Sequence, residues 1–321
     1  MAEKQNSSPK ISILIPVYNV EKYVARGLRS LFANTIIADC EVIIVDDCSP
    51  DGSMKVVADV LDEFPAFAKN VVLRSHECNR GSAAARNTAL LQAHGKYIIC
   101  VDSDDWVEPD YLEKLYNEAE NSGADIVGCD YFREYSGGTE LCKNPIDENP
   151  RQALKDVVSG KSLAFLWIKL FKRELFAENG IAWTEGLDVT EDVIVCSRLF
   201  AKAKAISYIK EPLYHYNLQN QGSLTARLNE KKIDQIIEAC NLIEKELLHD
   251  ADCENAVKQR KAFSKIWILR CADELKKEYF LLWNDEKLYK LSNISLKRKI
   301  ILFLCNMGLC WTVKKLINFS K

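Results

Sequence analysis

Acidic residues directly follow two short apolar runs of this sequence. Asp46 and Asp47 follow one run, and Asp102 and Asp104 follow another. Because residues two apart in an extended chain point in the same direction, Asp102 and Asp104 can face one cation or its bound phosphates together. Magnesium and manganese prefer hard oxygen ligands and take few of them from protein. The spacing therefore predicts a Mn²⁺ or Mg²⁺ site, although an acidic turn that caps the next helix would contain the same residues.

The runs that precede these acids have the pattern of buried strands. Five runs are rich in Val and Ile and are apolar on consecutive residues, as strands covered on both faces are. They span residues 11–16, 41–45, 71–74, 96–101 and 125–129. Segments with helical spacing separate them, so the pattern predicts an α/β fold with a mainly parallel sheet flanked by helices. Ligands of such sheets bind beyond the carboxyl ends of the strands, where the acids lie.

The chain is predicted to form three parts. Residues 1–9 are polar and are expected to be a flexible N-terminus, and residues 10–225 form the main domain. Residues 135–150 contain glycines and prolines and are predicted to form a loop inside that domain. The apolar residues of 226–321 have helical spacing, which predicts a helical C-terminal subdomain.

The end of the chain combines basic and apolar residues. Lys297, Arg298 and Lys299 precede an apolar run that contains Trp311, and two further lysines follow it. The run is too short to span a bilayer, which needs about 20 residues. Basic flanks around an apolar body are typical of a helix that lies in a membrane surface. Residues 297–318 are predicted to form either such a helix or the last core helix of the subdomain, and the sequence favours neither.

Composition excludes several classes of protein. A net charge of −3 leaves too little positive charge for whole-surface nucleic-acid binding. The twelve cysteines are scattered and form no CxxC pair, so buried thiols in a reducing compartment are predicted instead of zinc sites or disulfides. The polar N-terminus contains no visible secretory signal. We therefore expect a cytoplasmic protein, either free or peripheral on the inner face of the cytoplasmic membrane.

Four motifs occur in a fixed order. They are Ile-Pro-Val-Tyr-Asn at 15–19, Val-Asp-Asp-x-Ser-x-Asp-Gly-Ser at 45–53, Ala-Arg-Asn at 85–87 and Val-Asp-Ser-Asp-Asp at 101–105. In this combination the sequence resembles the family 2 glycosyltransferases, which have the GT-A fold, over roughly residues 9–216. The resemblance implies an inverting, metal-dependent hexosyltransferase. It also implies that residues 10–135 are the nucleotide-binding half of the domain and residues 136–225 the acceptor half.

The resemblance implies roles for the residues near the nucleotide. Pro16 and Tyr18 would cradle the base, with the Tyr18 ring stacked on it, and Asp47 would accept a hydrogen bond from a uracil N–H. Asp102 and Asp104 would be the DxD pair that reaches ribose, diphosphate and metal. Because a carboxylate can accept from an imide N–H, Asp47 favours uracil or thymine over cytosine, and a UDP-sugar is the expected donor.

Four further residues are candidates for the site. Arg80 and Arg86 flank the start of a helix, and the resemblance implies that they lie near the donor's pyrophosphate or sugar. Arg86 could equally pair with the DxD acids to hold them in place. His215 is a candidate third metal ligand or a structural histidine. By the resemblance, Asp192 would be the general base that takes the proton from the acceptor hydroxyl. One base opposite the leaving diphosphate gives a single displacement, hence inversion.

These features predict transfer of a sugar from a nucleotide diphosphate to a hydroxyl of a saccharide or lipid-linked saccharide, in surface polysaccharide assembly. Two alternatives remain open. A sugar nucleotidyltransferase would be expected to carry a glycine-rich loop after the first strand, but residues 16–20 contain no glycine. A catalytically weak, membrane-associated assembly subunit could have the same fold, although the intact Asp102, Asp104 and Asp192 argue against it.

Overall fold

The computed structural model describes residues 8–220, 228–247 and 250–318. The described chain divides into two compact units. The first contains the described residues up to Ala153, together with Phe165–Asp188 and the residues from Arg198 to 220. The second contains Leu154–Ala164, Val189–Ser197 and the described residues after 227. The predicted domain limits stay predictions. Residues 1–7 of the predicted flexible N-terminus and the predicted boundary at 225 lie outside the described residues.

Nine strands of the described chain form one sheet in the first unit. They are β1 (Ile11–Val17), β2 (Glu41–Asp46), β3 (Val71–Ser75), β4 (Tyr97–Cys100), β5 (Trp106–Val107), β6 (Ile126–Tyr135), β7 (Gly138–Cys142), β8 (Lys169–Lys172) and β9 (Ile206–Asn217). The order across the sheet is β3-β2-β1-β4-β8-β6-β9-β5, and β7 pairs with β6 outside this path.

The first four strands form the parallel part of the sheet. β1 pairs with β2 and β4, and β2 pairs with β3, all in parallel. Every residue of β4 is buried, as is every residue of β1 except Pro16. β1, β2 and β4 are largely buried, so they need apolar residues at consecutive positions, which is the pattern that predicted them. β3 has the same pattern but is partly exposed. The predicted strands at 11–16, 41–45, 71–74 and 96–101 are confirmed.

The rest of the sheet is mixed. β8 is antiparallel to β4 and β6, β9 is parallel to β6, and β5 is antiparallel to β9. The predicted loop at 135–150 was wrong in its first part, because β6 continues to Tyr135 and turns back into β7, with Tyr135 paired with Gly138. Four of the five β7 residues are exposed, so this strand lacks the buried apolar run that marked the others.

Helices follow the parallel strands along the chain. Up to residue 220 the described helices are α1 (Val24–Phe32), α2 (Ser53–Glu63), α3 (Pro65–Ala68), α4 (Ser82–Leu90), α5 (Tyr111–Ser122), α6 (Pro150–Ser159), α7 (Arg173–Asn179) and α8 (Glu191–Lys202). Short 3₁₀ turns occur at Ile37–Asp39 and Leu166–Ile168. Because α1, α2 and α4 come directly after β1, β2 and β3, the loops between them all lie at the carboxyl edge of the parallel strands.

The second unit is helical after residue 227. Its helices are α9 (Glu230–Leu247), α10 (Glu254–Cys271), α11 (Lys277–Leu281), α12 (Leu296–Asn306) and α13 (Cys310–Asn318), with 3₁₀ turns at Asn284–Glu286 and Leu288–Lys290. Their buried apolar residues form one core that includes Ile236, Leu269, Phe280 and Leu302. The predicted helical C-terminal region is confirmed. Across the described ranges, no helix is both long enough and apolar enough to cross a membrane.

Candidate active site

The parallel strands bring three sequence motifs to one edge of the sheet. β1 lies between β2 and β4 and is parallel to both, so the residues that follow these three strands lie at the same edge. Tyr18 follows β1, Asp47 follows β2, and Asp102 and Asp104 follow β4. This edge therefore combines an aromatic ring with carboxylates from two flanking strands.

Tyr18 presents its ring to solvent. Its side chain is 46% exposed, whereas the preceding residues of β1 are largely buried, and Pro16 is half-buried. Asn19 has a φ of 54° and donates its backbone N–H to the Ser49 hydroxyl at 3.3 Å, which ties the loop after β1 to the loop after β2. An aromatic ring held at the surface by a fixed turn can stack on a planar ring such as a nucleotide base.

Asp47 is buried beside the loop that leads into α4. Its Oδ1 accepts the backbone N–H of Arg80 at 2.9 Å and contacts Nδ1 of His76 at 2.7 Å, and its Oδ2 accepts the backbone N–H of Gly81 at 2.7 Å. Gly81 has a φ of 91°, a conformation that favours glycine. A carboxylate offers about four lone-pair positions, so Oδ2 can accept one further hydrogen bond. Asp47 thus holds the loop before α4 in place, and one acceptor position on its Oδ2 remains available to a ligand.

The acidic loop after β4 is fixed by long-range contacts. Arg86 of α4 donates to Oδ1 of Asp102 at 2.9 Å, so Arg86 pairs with one of the DxD acids, which is one of the two roles considered for it. Asn220 donates its side-chain N–H to Oδ2 of Asp104 at 2.9 Å. Oδ2 of Asp102 accepts no hydrogen bond among the described residues. The two acids are therefore held by different partners and keep oxygen capacity for a ligand.

Asp105 anchors the loop from inside. It is fully buried, and it accepts the hydroxyl of Tyr214 at 2.8 Å and the backbone N–H of Asn217 at 2.7 Å, both from β9. The same Tyr214 hydroxyl accepts the backbone N–H of Asp102 at 3.1 Å. Trp106, the next residue, pairs with His215 in the sheet. The loop is therefore clamped at both ends, which fixes the directions of Asp102 and Asp104.

Negative charge is concentrated in this loop. Burial raises the pKa of the Asp104 carboxyl, and the charge of Asp102 raises it further, while the hydrogen bond from Asn220 and the charge of Arg26 oppose the increase. Burial also raises the pKa of Asp105 well above its usual range, with added repulsion from Asp104 and Asp102. Carboxylates that repel each other gain from a nearby cation, and Arg26 and Arg86 supply only two positive charges against the three acids Asp102, Asp104 and Asp105.

The oxygen atoms of this loop fit a divalent cation that binds together with a ligand. Among the described residues, no group of three His, Cys, Asp or Glu side chains is arranged to hold a metal ion. Mg²⁺ and Mn²⁺ accept hard oxygen ligands, and Mg²⁺ usually keeps several waters and takes one or two carboxylates plus substrate phosphates. Asp102 and Asp104 can supply these carboxylates, and a bound diphosphate would supply further oxygens.

His215 lies in an aromatic stack. Its ring packs between Trp106 at 5.0 Å and Phe132 at 4.7 Å between ring centroids. Its Nδ1 contacts Glu134 at 2.7 Å and its Nε2 contacts Glu108 at 2.8 Å. Coordination of a metal by His215 would require one of these contacts to break. The ligand role stays a prediction, and the contacts favour the structural alternative.

Arg80 contacts Asp47 through its backbone and Glu185 through its guanidinium. Its backbone N–H holds the Asp47 carboxylate, and its exposed side chain donates to Glu185 at 2.9 Å. An exposed ion pair of this kind contributes little to stability, about 0–1 kcal/mol. The side chain can therefore leave Glu185 for an anionic ligand at small cost, and the predicted pyrophosphate role stays a prediction.

Asp192 lies in the first turn of α8, in the second unit. Thr190, just before the helix, has a φ of 82°, which is an outlier for a β-branched residue. Such backbone conformations cost roughly 1–3 kcal/mol and concentrate at functional sites. The N-terminal turn of a helix also favours an ionised carboxylate. These two features mark the segment 190–192 as a candidate functional turn within its own unit.

Strands β2 to β8 lie inside a region that matches a known family. The family model described as Glycosyl transferase family 2 matches residues 12–178, which is more than half of the chain. The chain belongs to glycosyltransferase family 2. The resemblance read from the four motifs is thereby confirmed.

Two curated proteins are similar in sequence to this chain. EpsH of Bacillus subtilis is 33% identical over 231 residues, which cover 70% of this chain and 65% of EpsH. Poly(ribitol-phosphate) beta-glucosyltransferase of Bacillus spizizenii is 34% identical over 218 residues, which cover 66% of this chain and 33% of that protein. This family 2 chain thus spans less than two thirds of the length of these relatives.

A solved structure shows the same fold. TarS 1–349 of S. aureus, in complex with UDP-GlcNAc, superposes with a TM-score of 0.75 and covers 96% of this chain and 90% of the TarS chain. The two sequences are 19% identical, so the match concerns the fold. The predicted GT-A fold, an α/β sheet with a helical C-terminal region, is confirmed.

Sequence reasoning missed several residues that build this family 2 site. His76 joins Asp47 to the Thr88 hydroxyl of α4, with a distance of 2.8 Å on the Thr88 side. Asp188 accepts the backbone N–H of Ala83 at 3.3 Å near the start of α4. His76 directly follows β3, so its position at a strand end was a usable signal. Asp188 had no such signal, because its partner is 105 residues away in sequence.

Gly27 allows α1 to approach the acidic loop, and its replacement is expected to displace that loop. A Cβ at Gly27 would lie 2.5 Å from the backbone oxygen of Asp105, an impossible contact unless the loop moves. We expect Gly27→Ala to lower kcat/KM at least about tenfold, because misplacement by about 1 Å can cost a hundredfold. Steady-state kinetics of the full chain measures this effect.

The control for this change is Gly137→Ala. A Cβ at Gly137 meets nothing within 4 Å, and Gly137 is not among the residues with positive φ. This variant is expected to keep wild-type kinetics and thermal stability. If Gly27→Ala also kept full activity, the close contact between α1 and the loop would not be required to position Asp104.

Proposed function

We propose that this chain transfers a sugar, with inversion, from a UDP-sugar to a hydroxyl of a saccharide or lipid-linked saccharide during surface polysaccharide assembly. The observation that carries the proposal is the meeting of Tyr18, Asp47, Asp102 and Asp104 at one edge of the parallel strands. Two relatives support the substrate class. TarS binds UDP-GlcNAc in its solved complex, and the Bacillus spizizenii relative is named for glucosyl transfer to poly(ribitol-phosphate).

The nucleobase of the sugar donor is assigned to the residues that follow β1 and β2. The exposed Tyr18 ring stacks on the base, with Pro16 beside it, and such stacking contributes about 1–3 kcal/mol in nucleic-acid complexes. Oδ2 of Asp47, which already accepts the N–H of Gly81, takes the imide N–H of uracil. A carboxylate offers no hydrogen to the unprotonated N3 of cytosine, so a uracil nucleotide is favoured. Arg80 is assigned to the pyrophosphate.

The diphosphate is assigned to the acidic loop. Asp102 and Asp104 hold Mn²⁺ or Mg²⁺ through oxygens that their protein partners leave available. When bound, such a cation supplies positive charge that stabilises a departing diphosphate. Arg86 keeps Asp102 oriented, and the buried Asp105 keeps the loop in place. His215 supports the loop through its stack with Trp106.

Asp192 is assigned as the general base. It lies in the first turn of α8, and a helix N-terminus favours negative charge. It takes the proton of the acceptor hydroxyl as the hydroxyl oxygen bonds to the anomeric carbon and the bond to the diphosphate breaks. One displacement without a covalent intermediate inverts the anomeric configuration.

We place this reaction in the cytoplasm, at the inner face of the membrane when the acceptor is lipid-linked. No disulfide occurs among the described residues, and seven of the twelve cysteines are buried. Thiols persist in reducing compartments, so this pattern supports a cytoplasmic site of action.

The test is release of nucleoside diphosphate from a panel of UDP-, GDP- and dTDP-sugars, with and without Mn²⁺. We expect release from one or more UDP-sugars, stimulated by the metal. Proton NMR of the glycosylated product should give an anomeric configuration opposite to that of the donor. Retention, or transfer of a nucleotidyl group to a sugar phosphate with release of pyrophosphate, would contradict the proposal.

A further inference from the structure

Helix α12 has two apolar faces, and only one of them is buried. Ile301, Leu302 and Cys305 pack into the core of the second unit. A second stripe, spaced by four, three and four residues, is exposed to solvent. It consists of Leu296, Ile300, Phe303 and Met307. A helix that only closed a core would carry polar residues on its exposed face. An exposed apolar stripe instead indicates a binding surface.

The exposed apolar residues continue beyond α12. We define the C-terminal apolar surface by its seven exposed large hydrophobic residues, Leu296, Ile300, Phe303, Met307, Leu309, Trp311 and Leu316. Fifteen such residues occur in the described chain, so almost half of them lie in this short segment. Trp311 is 68% exposed and Met307 is 60% exposed. This concentration distinguishes the surface from scattered exposed residues such as Leu91.

The same segment carries only positive charge. Lys297, Arg298, Lys299, Lys314 and Lys315 are its charged residues, and residues 294–317 contain no Asp or Glu. The chain as a whole has a net charge of −3, so this charge is local. Lys315 lies 3.8 Å from the centroid of the Trp311 ring, which places a cation directly beside an exposed aromatic residue. Apolar and basic groups therefore occur together in this segment, and Lys315 and Trp311 are in direct contact.

We propose that the C-terminal apolar surface docks the protein on an anionic lipid bilayer. Basic residues around exposed Leu, Phe and Trp are the composition of helices that lie in the headgroup region, where the charges meet anionic lipids and the apolar side chains enter the acyl boundary. α12 has 11 residues and α13 has 9, so neither can span the bilayer. The surface is thus suited to lie on the membrane.

A second copy of the chain is the poorer occupant for an electrostatic reason. A symmetric dimer through this surface would bring the same patch of each copy together. Five positive charges would then face five others with no acidic residue between them in 294–317. Like charges across an interface are costly. An anionic lipid surface complements the charge and accepts the apolar residues.

This inference does not depend on the proposed sugar transfer, so the two can fail separately. Its test is co-sedimentation of the full chain with vesicles of phosphatidylcholine alone or of equal parts phosphatidylcholine and phosphatidylglycerol. We expect binding to the anionic vesicles and much weaker binding to the neutral ones. Added salt is expected to weaken binding, because it screens the basic residues.

Two variants separate the apolar and the electrostatic contributions. The double change Met307→Ser with Trp311→Ser should reduce partitioning about tenfold or more. Lys297→Gln with Arg298→Gln should reduce it about fivefold for each removed charge. All four side chains are exposed, so folding should persist, and thermal unfolding checks this. Leu91→Ser removes an apolar residue that is 81% exposed elsewhere and should leave partitioning unchanged.

Three results would overturn the proposal. The first is equal binding to neutral and anionic vesicles, and the second is no binding to either. The third is a wild-type protein that does not bind vesicles and is a dimer in light scattering, when the Met307→Ser, Trp311→Ser variant is a monomer. That result would assign the surface to a second copy of the chain.

Discussion

Replacing Asp104 with asparagine is expected to lower kcat/KM for sugar transfer by about 10²–10⁴-fold, because charge neutralisation of a leaving diphosphate contributes several kcal/mol. Asparagine has nearly the same shape as aspartate and can still accept the hydrogen bond from Asn220. The variant therefore removes the negative charge and little else. Nucleoside diphosphate release at saturating Mn²⁺ measures the effect.

The same variant is expected to keep or gain thermal stability. Burial raises the pKa of Asp104, and the charge of Asp102 adds to the increase, which means that the folded protein disfavours the ionised form. Removing that charge relieves repulsion in the loop. Loss of activity without loss of stability is the pattern of a group held in a costly state for function.

Two further measurements distinguish the loss of a metal ligand from a general effect of removing a carboxylate. Mn²⁺ with UDP should raise the unfolding temperature of the wild type and have much less effect on Asp104→Asn, because binding to the folded state stabilises it. Asp62→Asn removes an exposed carboxylate of α2 and should behave as wild type in both assays. Near-normal activity and a normal Mn²⁺ response of Asp104→Asn would remove Asp104 from the proposed metal site.

The strand ends could be predicted because their signal is local. β1, β2 and β4 are buried on both faces, so each needs apolar residues in sequence, and the first polar residues after each run mark its end. Because β1, β2 and β4 are paired in parallel, Tyr18, Asp47 and Asp102 lie at one edge of the sheet, and this does not depend on how the helices pack. The part of the site that follows from burial and topology was therefore visible in the sequence.

The contacts that orient these side chains could not be predicted, since they join distant segments. Asp105 meets the Tyr214 hydroxyl across 109 residues of sequence, and Asp104 meets Asn220 across 116. Asp105 looked like one more acid in a polar turn, yet it is fully buried. Strand β7 was missed for a related reason, because an exposed strand stabilised by pairing with β6 needs no apolar run.

The acids near the site divide into two groups by their surroundings. Asp105 has both carboxylate oxygens engaged by β9, and Asp47 has three of its acceptor positions in use. Asp102 and Asp104 each retain capacity beyond Arg86 and Asn220. The first group fixes the loops, with one acceptor position of Asp47 left for the nucleobase, and the second group has more capacity for a ligand. Larger effects are therefore expected from replacing Asp102 or Asp104 than from replacing Asp105.

Asp192→Asn is expected to lower kcat by about 10²–10⁴-fold, the usual contribution of a positioned general base. Asparagine at the start of a helix is well tolerated, and the lost interaction of a charge with the helix N-terminus contributes about 0.3–1 kcal/mol. Donor binding should be unchanged. The thermal shift produced by UDP with Mn²⁺ should therefore equal that of the wild type, in contrast to Asp104→Asn.

A nucleophile that needs no base separates this role from a structural one. Azide is an anion and attacks the anomeric carbon without first losing a proton. Added azide is therefore expected to raise UDP release by Asp192→Asn, with an inverted glycosyl azide as product. It should leave the low activity of Asp104→Asn unchanged, because that variant lacks help for the leaving group. If azide rescued neither variant, or both equally, the division of labour between proton removal by Asp192 and diphosphate departure at Asp104 would be wrong.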